Sequence, residues 1–111
     1  MVVSVAGSTE LGQVDPIDKI QDCLDELVER SGYCIPHHVD AAYGGYFASL
    51  SGVEMAHSLM SQDVKSAIGA IGRAHSVTMD PHKMGYVPYS CGAFWLVTAS
   101  PIRTGRRKHP T

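Results

Sequence analysis

The chain has 111 residues, 44% of them hydrophobic, and too little glycine and proline for a disordered or collagen-like polymer. That length allows one domain at most, and one that buries only about two-thirds of its unfolded surface. The net charge is -2, but residues 1–102 hold 5 basic and 11 acidic side chains, and Arg103, Arg106, Arg107 and Lys108 then add four positive charges. The body therefore offers no basic surface for nucleic acid. The tail alone suits an acidic surface, and its simpler reading is a solvated end.

Cys23, Cys34 and Cys91 are odd in number and widely spaced, with no CxxC pair. This argues against a disulfide framework or a zinc ribbon and fits a reducing compartment. The opening "MVVSVAGSTE" lacks a basic region and is too short for a signal peptide. No run approaches the roughly 20 apolar residues of a membrane span. The expectation is a cytoplasmic chain that engages neither nucleic acid nor membrane.

"MVVSVAG" is a short β-branched run closed by Gly7, and reads as a buried strand. After the loop "STELGQV" comes a helix signal, with Asp15 as N-cap, Pro16 at the first helical position and Asp18 near the positive dipole end. Ile17, Ile20, Leu24, Leu27 and Val28 recur at helical spacing, and Gly32 is placed for a C-cap. "YCIPHHVDAAYGG" is a second strand entering a glycine-rich loop, with Pro36 expected at the strand's first residue. From about Val53 to Ala74 the pattern is helical but interrupted. Val64, Ala67, Ile68 and Ile71 form its apolar face, and Gly69 and Gly72 weaken it. "HSVTMD" and "GAFWLVTA" are the third and fourth strands.

The order β-α-β-α-β-β implies an α/β fold with a mostly parallel sheet, and the short final link implies an antiparallel last strand. In an open sheet of this kind, ligands bind beyond the carboxyl ends of the parallel strands. Those ends carry Ser8 and Thr9, then Asp40-Ala41-Ala42-Tyr43-Gly44-Gly45, then Asp80-Pro81-His82-Lys83. Lysine is a poor choice at the last place for structural reasons, because its charge is costly to bury and a turn residue would serve better. A hydroxyl, a carboxylate and a lysine beside a histidine thus converge on one edge. Pyridoxal phosphate uses this set economically. Its aldehyde takes a lysine amine as a Schiff base, and a carboxylate keeps its ring nitrogen protonated. A hydroxyl bonds the ring oxygen, and a small side chain lets the ring lie flat.

"HVDAAYGG" followed by "SVTMDPHKMGYVPYS" resembles the group II pyridoxal-phosphate amino-acid decarboxylases, enzymes of fold type I. "GSTELGQVDPID" is similar to their upstream glycine–threonine segment, and "DPHKMGYVPYS" is most like the tyrosine decarboxylase branch. The resemblance covers residues 1–96, a partial cofactor-binding large domain, and leaves residues 97–111 as a basic tail unlike the family. It implies that Lys83 is the Schiff-base lysine, that Asp40 pairs with the pyridine nitrogen, and that Ala42 packs its methyl on the ring. Thr9 would lie near the ring hydroxyl or the substrate carboxylate, and His82 and Asp80 on the phosphate side. A carboxylate at 80 is less suited to that side than an amide, because it repels phosphate. The implied reaction is decarboxylation of an L-amino acid of an aromatic, tyrosine-like class, in an enzyme that works as a homodimer.

The family's catalytic domain is several times longer than 111 residues, so the alternative expectation is a truncated, non-catalytic fragment of such an enzyme. Other residues support less. His37 and His38 with Cys34 match no standard zinc spacing, and strand alternation points the two histidines to opposite faces. Tyr86 and Tyr89 suit a substrate pocket or simple packing equally. Trp95 is expected in the core, and His57 and His75 in the surface or loops. No P-loop, GxGxxG or GxSxG pattern occurs.

Overall fold

A computed structural model describes residues 1–50, 52–53 and 59–96. Strands β1 (Val2–Val5), β2 (His37–Asp40), β3 (Ser76–Met79) and β4 (Ala93–Leu96) form one sheet in the order β1-β2-β3-β4. The first three are parallel and β4 is antiparallel to β3, as the element order requires. Helix α1 (Ile17–Ser31) links β1 to β2, and helix α2 (Gln62–Gly69) precedes β3. Short 3₁₀ turns cover Gly45–Leu50 and Ile71–Arg73. The expected tail, His57 and the end of the fourth strand lie outside the described residues.

The two helices lie against each other and supply the buried face. Ile17, Val39, Ala41, Ala67, Ile68, Ile71 and Val77 form the core, with Ala6, Ala70 and Ala74. Ser61 caps α2 by accepting the Val64 N–H, and α2 ends at Gly69, where the glycines were expected to weaken it. Gly32 closes α1 in the left-handed region, with its N–H on the Val28 carbonyl.

Three expectations need correction. Strand β1 is buried on one face only: Ser4 is fully buried and Val3 is 51% exposed. Apolar core residues lie on the Ser4 side, so alternation leaves Val3 outward. Trp95 is 49% exposed rather than core, because β4 is the last strand of the described sheet and lies beyond the reach of α1 and α2. Asp15 does not cap α1. The helix begins at Ile17 after Pro16, and the Asp15 carboxylate accepts the Val5 N–H at 2.8 Å while its own N–H donates to the Val5 carbonyl. Those β1 groups face the open edge and would otherwise lack a protein partner. Val14 and Ala6 extend this strap with an antiparallel bridge.

His37 and His38 do point to opposite faces, and both are occupied within the sheet. His37 is fully buried. Its Nδ1 donates to Gln21 Oε1 at 2.8 Å, so its Nε2 accepts from the Ser4 hydroxyl at 2.7 Å. This explains why Gln21, a polar residue outside the apolar pattern of α1, is buried. Gln21 in turn donates to Asp25, which with Asp22 holds Arg73. His75 is more than a loop residue: its Nδ1 accepts the His37 N–H at 3.1 Å, and its Nε2 faces Cys34 Sγ at 3.7 Å.

Burial, helped by His75 and His38, holds the His37 imidazole below its ordinary value of 6.5. A depressed histidine binds its proton more readily in the unfolded chain, so its stabilisation is present above pH 6.5 and is lost as pH falls toward the folded value. Urea midpoints should be level above neutrality and decline through the mildly acidic range. His37→Gln should flatten that decline, and an unchanged slope in the variant would show that the buried histidine is not its source.

Candidate active site

The carboxyl ends of β1, β2 and β3 meet through backbone contacts. The Asp40 carbonyl accepts the Ala6 N–H at 2.9 Å, and the Ala41 N–H donates to the Thr78 carbonyl at 2.9 Å. The Asp80 N–H donates to the Ala42 carbonyl at 3.2 Å, joining the turn after β3 to the loop after β2. Gly44 lies against the end of β1, where an added Cβ would stand 2.2 Å from the Ala6 carbonyl oxygen. Only glycine permits this approach, which accounts for the glycine-rich loop after Asp40.

The loop after β1 folds back on itself. The Ser8 hydroxyl accepts the Gln13 N–H at 3.1 Å, and Thr9 is left exposed at its tip. Asp40 closes β2, half-buried on the face opposite Val39. Its Oδ1 accepts the Ala42 N–H at 3.1 Å, which shapes the start of the loop. Deeper on the same face, His38 is fixed by Ser76 at 2.7 Å and Thr78 at 3.1 Å, and lies over Phe94.

The turn after β3 is tight. The Lys83 N–H donates to the Asp80 carbonyl at 3.0 Å, and the Val87 N–H to the Pro81 carbonyl at 3.1 Å. Lys83 Nζ lies 3.0 Å from Asp80 Oδ2, with the lysine side chain 30% exposed and the carboxylate 19%. His82 Nδ1 accepts the Cys91 N–H at 2.8 Å, and its ring stacks on Tyr89 with centroids 4.3 Å apart. Its Nε2 is 3.6 Å from Asp80 Oδ2.

All six residues singled out from the sequence therefore stand at one edge of the sheet. Asp80, His82 and Lys83 touch one another. Thr9, Asp40 and Ala42 share the edge, and among the described residues no hydrogen bond or ion pair joins them to the lysine. Tyr89 packs on His82 although its side chain is largely exposed, and Tyr86 projects outward. Tyr46 was missed from the sequence. It packs on Gly85 and, with Phe47, Leu50, Met84 and Tyr86, lines a cleft of about 400 Å³ beside the lysine turn. Its only sequence signal was an aromatic pair following the two glycines.

Comparison with known proteins establishes the family. Residues 1–104 match the pyridoxal-dependent decarboxylase conserved domain, and the chain belongs to that family of pyridoxal-phosphate-dependent carboxy-lyases. The L-tyrosine decarboxylase of Enterococcus faecalis is 44% identical over 112 residues, covering 82% of this chain and 18% of that protein. A probable L-tyrosine/L-aspartate decarboxylase of Methanothrix thermoacetophila is 36% identical over 102 residues, covering 92% of this chain and 22% of its own length. The crystal structure of mouse CSAD superposes with a TM-score of 0.61 at 32% identity, covering 92% of this chain and 18% of that one. The chain thus spans about a fifth of the length of these relatives. Among the described residues no helix is long and apolar enough to cross a membrane.

The lysine turn depends on a second close approach. A Cβ on Gly85 would stand 2.7 Å from both the Pro81 carbonyl oxygen and the Tyr46 ring. Gly85→Ala should therefore cost about 1–3 kcal/mol, the usual range for overpacking. Urea unfolding measures the loss, and a variant as stable as the parent would mean that the Pro81–Gly85 contact is slack.

Proposed function

We propose that the chain contributes the lysine-bearing edge of an amino-acid decarboxylase that uses pyridoxal phosphate, with an aromatic, tyrosine-like L-amino acid as substrate. The observation that carries this reading is the bond between the Asp80 N–H and the Ala42 carbonyl, which fastens the Lys83 turn to the loop that follows Asp40. The donor set fits the cofactor. Lys83 offers an amine that is partly open to solvent, and Asp40 a carboxylate on the sheet face opposite the helical core. Thr9 adds an exposed hydroxyl.

In this reading Lys83 holds the cofactor through its aldehyde, Asp40 takes the ring N–H, and Ala42 lies against the ring. Thr9 bonds the ring hydroxyl or the substrate carboxylate, and His82 stands toward the phosphate with Asp80 beside it. The bound cofactor supplies an electron sink for the pair released as carbon dioxide departs. Asp40 keeps a proton on the ring nitrogen, and that proton makes the sink effective. The aromatic preference rests on the named tyrosine decarboxylase relatives, and the cleft lined by Tyr46, Met84 and Tyr86, just past Lys83 in the chain, suits an aromatic ring. The working enzyme is a cytoplasmic homodimer.

These 111 residues are about a fifth of the relatives' length, and a second reading follows: alone, they form a non-catalytic part of such an enzyme. General acid–base groups are typically worth about 10²–10⁴-fold, and a chain of this length holds only the part of the site built at this edge. The purified chain mixed with pyridoxal phosphate should form a borohydride-trappable product at Lys83 and show little release of amine from tyrosine, DOPA, glutamate or aspartate. Lys83→Ala should remove the trapped product. Robust turnover that disappears in Lys83→Ala would establish a complete enzyme instead, and trapping elsewhere would overturn the role of Lys83.

A further inference from the structure

We infer that Asp80 is the counter-ion of the Lys83 nitrogen in both its chemical forms, the free ammonium and the charged C=N product made with an aldehyde. The inference rests on the reading of Lys83 as the aldehyde-accepting lysine, and assigns Asp80 to the amine rather than to a phosphate. The ion pair is short, at 3.0 Å, and both side chains are mostly withdrawn from water. It is also built in. The Lys83 N–H bonds the Asp80 carbonyl, so both residues are fixed in one turn before their side chains meet. The other carboxylate oxygen, Oδ1, lies against Gly92 at the approach to β4, 3.5 Å from where a Cβ would stand.

His82 reinforces the arrangement. Its Nδ1 accepts the Cys91 N–H, so the neutral ring carries its proton on Nε2, toward Asp80 Oδ2 at 3.6 Å. That is too long for a hydrogen bond, but it presents a positive edge to the same oxygen. The other titratable groups nearby are Tyr89, stacked on the His82 ring, Cys91, whose backbone holds that ring, Tyr46 and Tyr86 beside Gly85, and Asp40 at the end of β2. Among the described residues, Asp80 is the ion-pair partner of Lys83.

Condensation with an aldehyde conserves the charge at this nitrogen. A C=N double bond forms between Nζ and the aldehyde carbon, and the C=O bond breaks. The oxygen leaves as water with two of the three ammonium protons, and the third proton stays on nitrogen. A carboxylate placed for the ammonium is therefore placed for the product. An opposite charge at such a distance favours the charged form of the product.

The test uses the full 111-residue chain with pyridoxal 5'-phosphate and, separately, pyridoxal, which lacks the phosphate. Absorbance of the C=N product is followed across pH, and borohydride trapping with peptide mapping identifies the lysine. The wild-type product should keep its proton to a pH about 1–3 units above that of the same aldehyde on N-acetyl-lysine amide. Asp80→Asn should move the midpoint down by about one unit or more, and Asp80→Glu should restore most of the difference. The two aldehydes should behave alike. A wild-type midpoint equal to that of the small amine overturns the inference whether or not any variant folds. So does an unmoved midpoint in Asp80→Asn, or an effect confined to the phosphorylated aldehyde. Trapping at a lysine other than Lys83, or at none, overturns the parent reading and this one with it. Trapping at Lys83 with an unmoved midpoint removes the counter-ion alone.

Discussion

The Gly44 backbone lies so close to the Ala6 carbonyl that no side chain fits between them. Everything at the candidate site depends on that approach. It brings the loop after Asp40 down onto the end of β1, and it leaves the Ala42 carbonyl free to receive the Asp80 N–H from the third strand end. Three loops distant in sequence become one surface largely through backbone atoms, with the Tyr46 ring packed on Gly85 as a further contact. The chemistry-bearing side chains are then free to point away from the contacts that place them.

Parallel pairing supplies the other half of the arrangement. Val5 pairs with Asp40 and Asp40 with Thr78, so strands of four residues end almost level. Level ends put short loops within reach of one another. The antiparallel β4 returns alongside β3 and brings Cys91 back to hold the His82 ring. The last strand therefore completes the lysine turn even though it adds no residue to the parallel edge.

Much of this was legible in the sequence, because it rests on local rules. Element order dictated the sheet, and the residues just past three strands dictated the edge. The Asp-Pro-His-Lys run marked its most unusual residue. What remained hidden was tertiary. Asp15 reads as a helix cap because its neighbours are helical, but the open edge of β1 offers its carboxylate an N–H with no other protein partner. Gln21 interrupts an apolar pattern for a reason visible only once His37 lies beneath it. Trp95 looks like core by composition, and its exposure follows from the position of β4 in the sheet. The ion pair between Lys83 and Asp80 spans only three residues, yet no local rule requires it, since the resemblance gives each residue a separate role toward a ligand.

The two ends of the sheet are stitched by different means. At the amino end, side chains do the work: Ser4, His37, Gln21, His75 and Cys34 exchange polar contacts around the starts of the strands. At the carboxyl end the work is done by the absence of side chains at Gly44 and Gly85. Drift in this sequence would therefore meet two different filters. The amino end admits only changes that keep its buried donors and acceptors matched, while Gly44 and Gly85 at the carboxyl end reject even an added methyl. A library of random variants sorted for folded chains should keep chemistry at one end of the sheet and volume at the other.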